Sequence, residues 1–247
     1  MKRNSLLLIF LLVLLTCCKS EDAPIKAIKP NEPGSINEEY MSRAETTFAN
    51  IFKYYWSERV GLMFGTYPNT LGTHDEPNSP DYNSHAYLWG LGGVLSGFNA
   101  IVQNTDNVDF RTTYESQLKR TLLEYYNTTK EPMCFGCFVN DHDERLYDDA
   151  IWVGIDLTDL YSKTKDNWYL DYAKSVWNFV LTGKDDALGG GIYWKESPRD
   201  SKNTCSNAPA VVLALKLYQV TNDPSYLETG KEVYKLSLIH ISEPTRP

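Results

Sequence analysis

Basic charge is scarce in this chain: 24 Lys and Arg stand against 32 Asp and Glu in 247 residues, a formal net charge of -8. No basic face is left to hold phosphate backbones by counterion release, which excludes nucleic acid as a partner class. Long apolar runs are missing as well. The run from Leu6 to Leu15 falls far short of the roughly 20 residues that a membrane-crossing helix needs. Only four His occur, too few to favour chemistry built on paired imidazoles. No Gly-Lys-Ser/Thr follows Gly189-Gly190-Gly191, so this is not a phosphate loop and reads as a turn bringing backbone close to a ligand. No convincing apolar-polar alternation marks a strand. What is abundant is aromatic: six Trp, 17 Tyr and nine Phe, 13% of the chain, more than a globular core of this size requires. Some of these rings are expected to line a surface cleft.

The first 18 residues read as an address. Lys2 and Arg3 precede the apolar run, which ends in Thr16-Cys17-Cys18. This order resembles a bacterial lipoprotein signal, with either Cys17 or Cys18 as the acylated residue. Lys19-Ser20-Glu21-Asp22 resembles the surface-export signal of Bacteroidetes lipoproteins. The expectation is therefore an outer-membrane lipoprotein at the cell surface, with residues 19–35, rich in Pro, as a tether. The alternative is an ordinary secretory signal and a periplasmic protein.

Helical periodicity dominates the rest. Ser35-Ile36-Asn37-Glu38 is a capping box, and the helix it opens continues through Tyr40, Phe48, Ile51, Phe52 and Tyr55. Further helices are expected near 85–103, 109–128, 149–163, 167–182, 207–221 and 224–236. Leu160, Tyr161, Thr164, Asp166, Tyr169, Leu170, Lys174 and Val176 recur 57 positions later as Leu217, Tyr218, Thr221, Asp223, Tyr226, Leu227, Lys231 and Val233. The repeated unit is an αα-hairpin whose second helix is capped by Asp. One hairpin cannot bury its own apolar face, so the copies must stack or close into a ring; a closed ring is favoured, with the long loops 55–85, 128–148 and 183–207 crowding one mouth. Residues 236–247, LSLIHISEPTRP, neither extend the repeat nor end a helix sensibly. They resemble a translated sequencing-adapter read-through, so residues 36–235 are expected to be part of a larger domain.

Tyr147-Asp148-Asp149-Ala150-Ile151-Trp152 carries the sharpest chemistry. Adjacent acids at a helix start can face one cleft with carboxyl groups about 5–5.5 Å apart, the spacing of a retaining glycosidase. The helix N-terminus favours one ionised carboxylate, and like-charge repulsion raises the proton affinity of the other. An acidic helix cap is the plainer reading of the same residues.

Four blocks in order decide between these. They are the Asp pair with Trp152; Ser84-His85-Ala86-Tyr87-Leu88-Trp89 leading to Gly93-Val94-Leu95-Ser96-Gly97-Phe98-Asn99-Ala100; Gly189-Gly190-Gly191-Ile192-Tyr193-Trp194; and Lys202 to Ala210. Together they resemble glycoside hydrolase family 76 over roughly residues 36–235. That resemblance implies an all-α (α/α)6 toroid, here incomplete at the C-terminal side, and endo-acting, retaining α-1,6-mannanase activity on mannan. It implies Asp148 as nucleophile and Asp149 as general acid/base. Val153 stands where the family commonly has an aromatic residue. The expected protein is a monomer that needs no metal or organic cofactor. Rival readings are a non-catalytic surface glycan-binding lipoprotein, or another (α/α)6 carbohydrate-active enzyme such as an uronide hydrolase or a sugar epimerase.

Trp89, Trp152, Tyr193 and Trp194 are candidates to stack on sugar rings or to pack in the core, whereas Trp168 and Trp177, on repeat helices, are expected in the core. Asn203, Ser206 and Asn207 can bond sugar hydroxyls, or Ser206 or Asn207 can cap the following helix. Cys134 and Cys137 have half of a zinc spacing without a second pair, and read as a disulfide or two free thiols. Cys205 has no evident partner. Asp141-His142-Asp143-Glu144 reads as a solvated acidic loop rather than a calcium site.

Overall fold

A computed structural model describes residues 38–68, 85–139 and 141–242, with side chains to residue 235. The expected signal, tether, Cys17, Cys18 and Ser35 lie outside the described residues, as does Ser84. Among the described residues seven α-helices carry the fold: α1 (Glu38–Tyr55), α2 (Leu88–Asn104), α3 (Val108–Leu123), α4 (Tyr147–Thr164), α5 (Asn167–Thr182), α6 (Thr204–Thr221) and α7 (Pro224–Ser242). Each expected helix is present within a few residues. The helix expected near 109–128 stops at Leu123 because Tyr126–Asn127 pairs antiparallel with Cys134–Phe135. A second ladder joins Trp56–Ser57 to Leu62–Met63. These strands were not expected, since two residues are too few to show an alternating pattern. At the other end α7 runs to Ser242, beyond its expected end near residue 236.

The 57-residue repeat is exact in local geometry. Lys165 and Asn222 end α4 and α6 in the left-handed region, at φ 61° and 59°, each donating its backbone N–H to Tyr161 O or Tyr218 O at 2.8 Å. Asp166 then caps α5 by accepting from Trp168 N at 3.0 Å, and Asp223 accepts from Ser225 N at 2.9 Å. Each cap satisfies one of the donors that a helix start leaves unpaired. The turn chemistry alone therefore folds each hairpin back on itself.

Packing between hairpins sets the layers. Helices α2, α4 and α6 stand side by side, while α5 and α7 each return against the helix before them. Gly154 permits the tightest of these approaches: a Cβ there would lie 2.9 Å from Val176 Cγ1 on α5 and 3.0 Å from Leu213 on α6. Ile151, Val153, Leu157 and Leu160 of α4 are fully buried, each contributing roughly 1.5–3 kcal/mol by leaving water. An aromatic cluster joins the first three helices, with Phe48 within 6.0 Å of Phe52, Phe98, Phe110 and Tyr114. The adjoining first turns of α2 and α4 open on one side of this arc.

Candidate active site

The N-cap of α4 is Leu146, whose side chain caps nothing. Asp148 and Asp149 thus sit inside the first turn and neither is the cap, which removes the plainer reading of the pair. A clip positions this turn. Tyr147 N donates to Trp194 O at 2.9 Å and Glu196 N donates to Arg145 O at 3.0 Å, so residues 194–196 lie antiparallel to the entry of the helix. That pairing carries the Trp194 indole to Asp148, where Nε1 donates to Oδ2 at 3.1 Å. Asp148 is buried, and its Oδ1 receives no donor within hydrogen-bond distance among the described residues. The Cys205 thiol, pushed up by burial and then by the neighbouring carboxylate, stands beside it.

Asp149 faces a different environment. With Trp89, Gly93, Ser96 and Trp152 it lines a cavity of about 340 Å³ between the starts of α2 and α4, a size ordinary for a small-ligand site. Burial, then repulsion from Asp148, pushes its carboxyl up to about 7, against a lowering hydrogen bond from the Cys137 thiol. At neutral pH such a group holds its proton about half the time and can both give and take it. Trp89 and Trp152 are 58% and 40% exposed, their rings edge to face at 6.4 Å. Both present aromatic surface to the cavity.

Other expected contacts fall elsewhere. Tyr193 is buried, with Lys202 Nζ 4.4 Å from its ring centroid and Arg199 beyond, so its face is not open to a sugar. Asn207 is buried and committed: Oδ1 accepts from Ile192 N at 2.8 Å, while Nδ2 donates to Ile192 O at 3.0 Å and Asn203 O at 2.9 Å. It staples the Gly-rich turn rather than reaching for substrate, and Gly191 meets Asn207 so closely that backbone approach to α6, not to a ligand, explains that glycine. The N-cap of α6 is Asn203, not Ser206 or Asn207; its side chain makes no cap bond and is exposed. Trp194 is half-buried and serves Asp148. Trp177 is buried, as expected, and Trp168 is partly buried against the core.

Cys134 and Cys137 are free thiols, both buried, and burial pushes Cys134 up to about 12. The acidic loop is structural: His142 Nε2 pairs with Glu124 O at 2.8 Å and Asp143 accepts from Asn127 at 3.2 Å. Among the described residues no three His, Cys, Asp or Glu side chains gather as a metal site. Sequence reasoning missed the neighbours of the acids, Cys137 and Cys205, and the fully buried Arg145. That guanidinium grips Glu196 with Nε–Oε2 at 2.9 Å and Nη2–Oε1 at 2.5 Å, locking the clip. Only the CXXC spacing and the nearness of Cys205 to a motif hinted at any of these.

A family model described as glycosyl hydrolase family 76 matches residues 39–238. No curated protein matches. Among solved structures, a family 76 mannosidase from Bacteroides thetaiotaomicron VPI-5482 aligns with a TM-score of 0.70 at 25% identity, covering 80% of this chain and 52% of that one. A family 76 glycoside hydrolase from a bovine Bacteroides thetaiotaomicron strain gives 0.70 at 29% identity, covering 81% and 42%. The α-1,6-mannanase of Salegentibacter sp. HEL1_6 gives 0.61 at 25% identity, covering 80% and 50%; an inactive variant of it, with two consecutive aspartates changed to asparagine, is solved with α-1,6-mannotriose. The chain spans about half the length of these solved relatives. Its alternating helical layers correspond to part of their (α/α)6 toroid.

Proposed function

This chain belongs to glycosyl hydrolase family 76, and on that premise we propose that the full-length protein is an endo-acting hydrolase of α-1,6-mannosidic bonds in mannan, working with retention of configuration. The observation that carries this reading is the division of labour within one helical turn. Asp148 is held by an indole N–H with one oxygen unengaged, while Asp149 is pushed up to about 7 at the wall of a Trp-lined cavity. Asp148 attacks the anomeric carbon as Asp149 passes its proton to the leaving oxygen. Asp149 then removes a proton from the water that opens the glycosyl ester, returning both groups to their starting states. Trp89 and Trp152 supply faces for the apolar sides of the sugar rings. That the Salegentibacter mannanase is inactive with two consecutive aspartates changed to asparagine supports assigning the chemistry to this pair.

New reducing ends released from linear α-1,6-mannan by the full-length protein test the reading. Asp148→Asn and Asp149→Asn are each expected to lower kcat by about 10²–10⁴-fold with helical circular dichroism unchanged. Near-normal turnover in both would remove the mechanism, and depletion of mannan without new ends would favour a binding protein.

We also propose that the protein is anchored at the outer membrane through acylated Cys17 or Cys18 and acts there as a monomer. Replacing both cysteines by Ala should move it from the membrane to the soluble fraction. Retention in the membrane fraction would contradict the anchor.

A further inference from the structure

Beneath the Trp-lined cavity lies a second buried acid that the two-carboxylate mechanism does not use. Asp156, seven residues and two helical turns after Asp149, is 5% exposed. Its Oδ2 accepts from Ser96 Oγ at 2.5 Å and its Oδ1 from Asn99 Nδ2 at 2.8 Å. Asp159 and Lys216, paired with each other at 2.5 Å, are the other charged groups near it. Burial is the main influence that pushes Asp156 up, to about 6, which leaves it mostly ionised at neutral pH. An ionised carboxylate has no hydrogen to give, so the proton between Ser96 and Asp156 belongs to Ser96.

That assignment fixes what Ser96 shows to the cavity. Ser96 is half-buried and lines the same space as Asp149, Trp89 and Trp152. With its only hydrogen committed downward to Asp156, its oxygen meets any ligand as an acceptor. A carboxylate accepting from the same hydroxyl polarises it and strengthens it as an acceptor.

We infer that Ser96 and Asp156 act together as an orienting pair, Ser96 accepting a hydrogen bond from one mannose hydroxyl and Asp156 holding Ser96 in the acceptor state. Ser96 touches substrate; Asp156 is a positioning residue. The inference deepens the mannanase reading and rests on it. Asn99, donating to Asp156, and Gln103, donating to Asn99 Oδ1 at 3.0 Å, keep the carboxylate from rotating away.

Steady-state kinetics of the full-length protein on α-1,6-mannooligosaccharides, with melting temperature in parallel, test it. Ser96→Ala is expected to raise KM about tenfold, the value of one hydrogen bond to a polarised acceptor, with kcat changed far less. Ser96→Thr keeps the hydroxyl and should retain most of the affinity. Asp156→Asn places an amide that donates to Ser96 and turns its hydrogen toward the sugar, so KM should rise by a similar factor. In the Ser96→Ala background Asp156→Asn should add nothing. Monodeoxy mannotrioses identify the hydroxyl: one analogue should lose affinity for the unaltered protein and none for Ser96→Ala. A lowered melting temperature with KM unchanged, or additive KM effects, overturns the pair and leaves the mannanase reading standing. Absence of mannan cleavage by the unaltered protein overturns both.

Discussion

The chemistry turns on how differently two neighbouring carboxyl groups are treated. Asp149 pays no helix-capping role; burial and the negative charge of Asp148 raise its proton affinity, from an ordinary 3.8 to about 7. Two consequences follow with definite sign. For catalysis, the leaving oxygen needs the protonated form, so kcat/KM should fall tenfold per pH unit above about pH 7, and Asp149→Asn should abolish that limb along with the activity. For stability, the folded protein binds a proton here between pH 3.8 and about 7 that the unfolded chain has already released. Stability is therefore lost as pH rises through that window. Asp149→Asn should raise the melting temperature at pH 8, by about 2–4 °C for each kcal/mol recovered, and the gain should vanish near pH 3; an unchanged melting temperature at pH 8 would show that the group is not strained. The acids themselves were legible in the sequence as a motif. Their separate environments were not, because Trp194, Cys137 and Cys205 reach them from distant parts of the chain.

Helices and turns were legible wherever their cause is local. The Asp caps at Asp166 and Asp223 and the apolar periodicity of α4 and α6 all depend on neighbours within a few residues. The Gly-rich turn was legible only as a turn. Gly189, Gly190 and Gly191 all have φ near +90°, a region that side chains rarely adopt, and a Cβ on Gly191 would meet Asn207 Oδ1 at 2.5 Å. Gly191→Ala is accordingly expected to cost about 1–3 kcal/mol, seen as an earlier urea midpoint, and to lower kcat because Tyr193 and Trp194 follow directly. Wild-type stability and turnover in that variant would separate the turn from the site. Asn207 and Tyr193 looked like sugar contacts in the sequence because polar and aromatic residues near glycines suit a binding loop. Tertiary packing assigns them instead to holding that loop against α6.

The arc of hairpins and the loops above it are joined by Arg145. Its buried guanidinium binds Glu196 through two hydrogen bonds, donates to Pro132 O at 2.7 Å and lies 4.7 Å from the Phe179 ring. Burial by itself would push Glu196 up, but hydrogen bonds from Arg145 and Lys130 outweigh it and hold the carboxyl below its usual 4.5. This pair's stabilisation is complete above pH 4.5 and is lost as pH falls through the lower folded value. Arg145→Met leaves a partly buried carboxylate with only Lys130 and should cost about 3 kcal/mol, measured by chemical denaturation at pH 7; a loss below 1 kcal/mol would show that the clip does not depend on it. Residues 145 and 196 are 51 positions apart, and no periodicity relates them. Helix content, hairpin repetition and the acidic pair could be read from one dimension because near neighbours produce them. Which aromatic faces stay open, which polar groups are consumed by the scaffold and how strongly each acid holds its proton were decided by the folded chain alone, since burial and charge proximity arise only when remote segments meet.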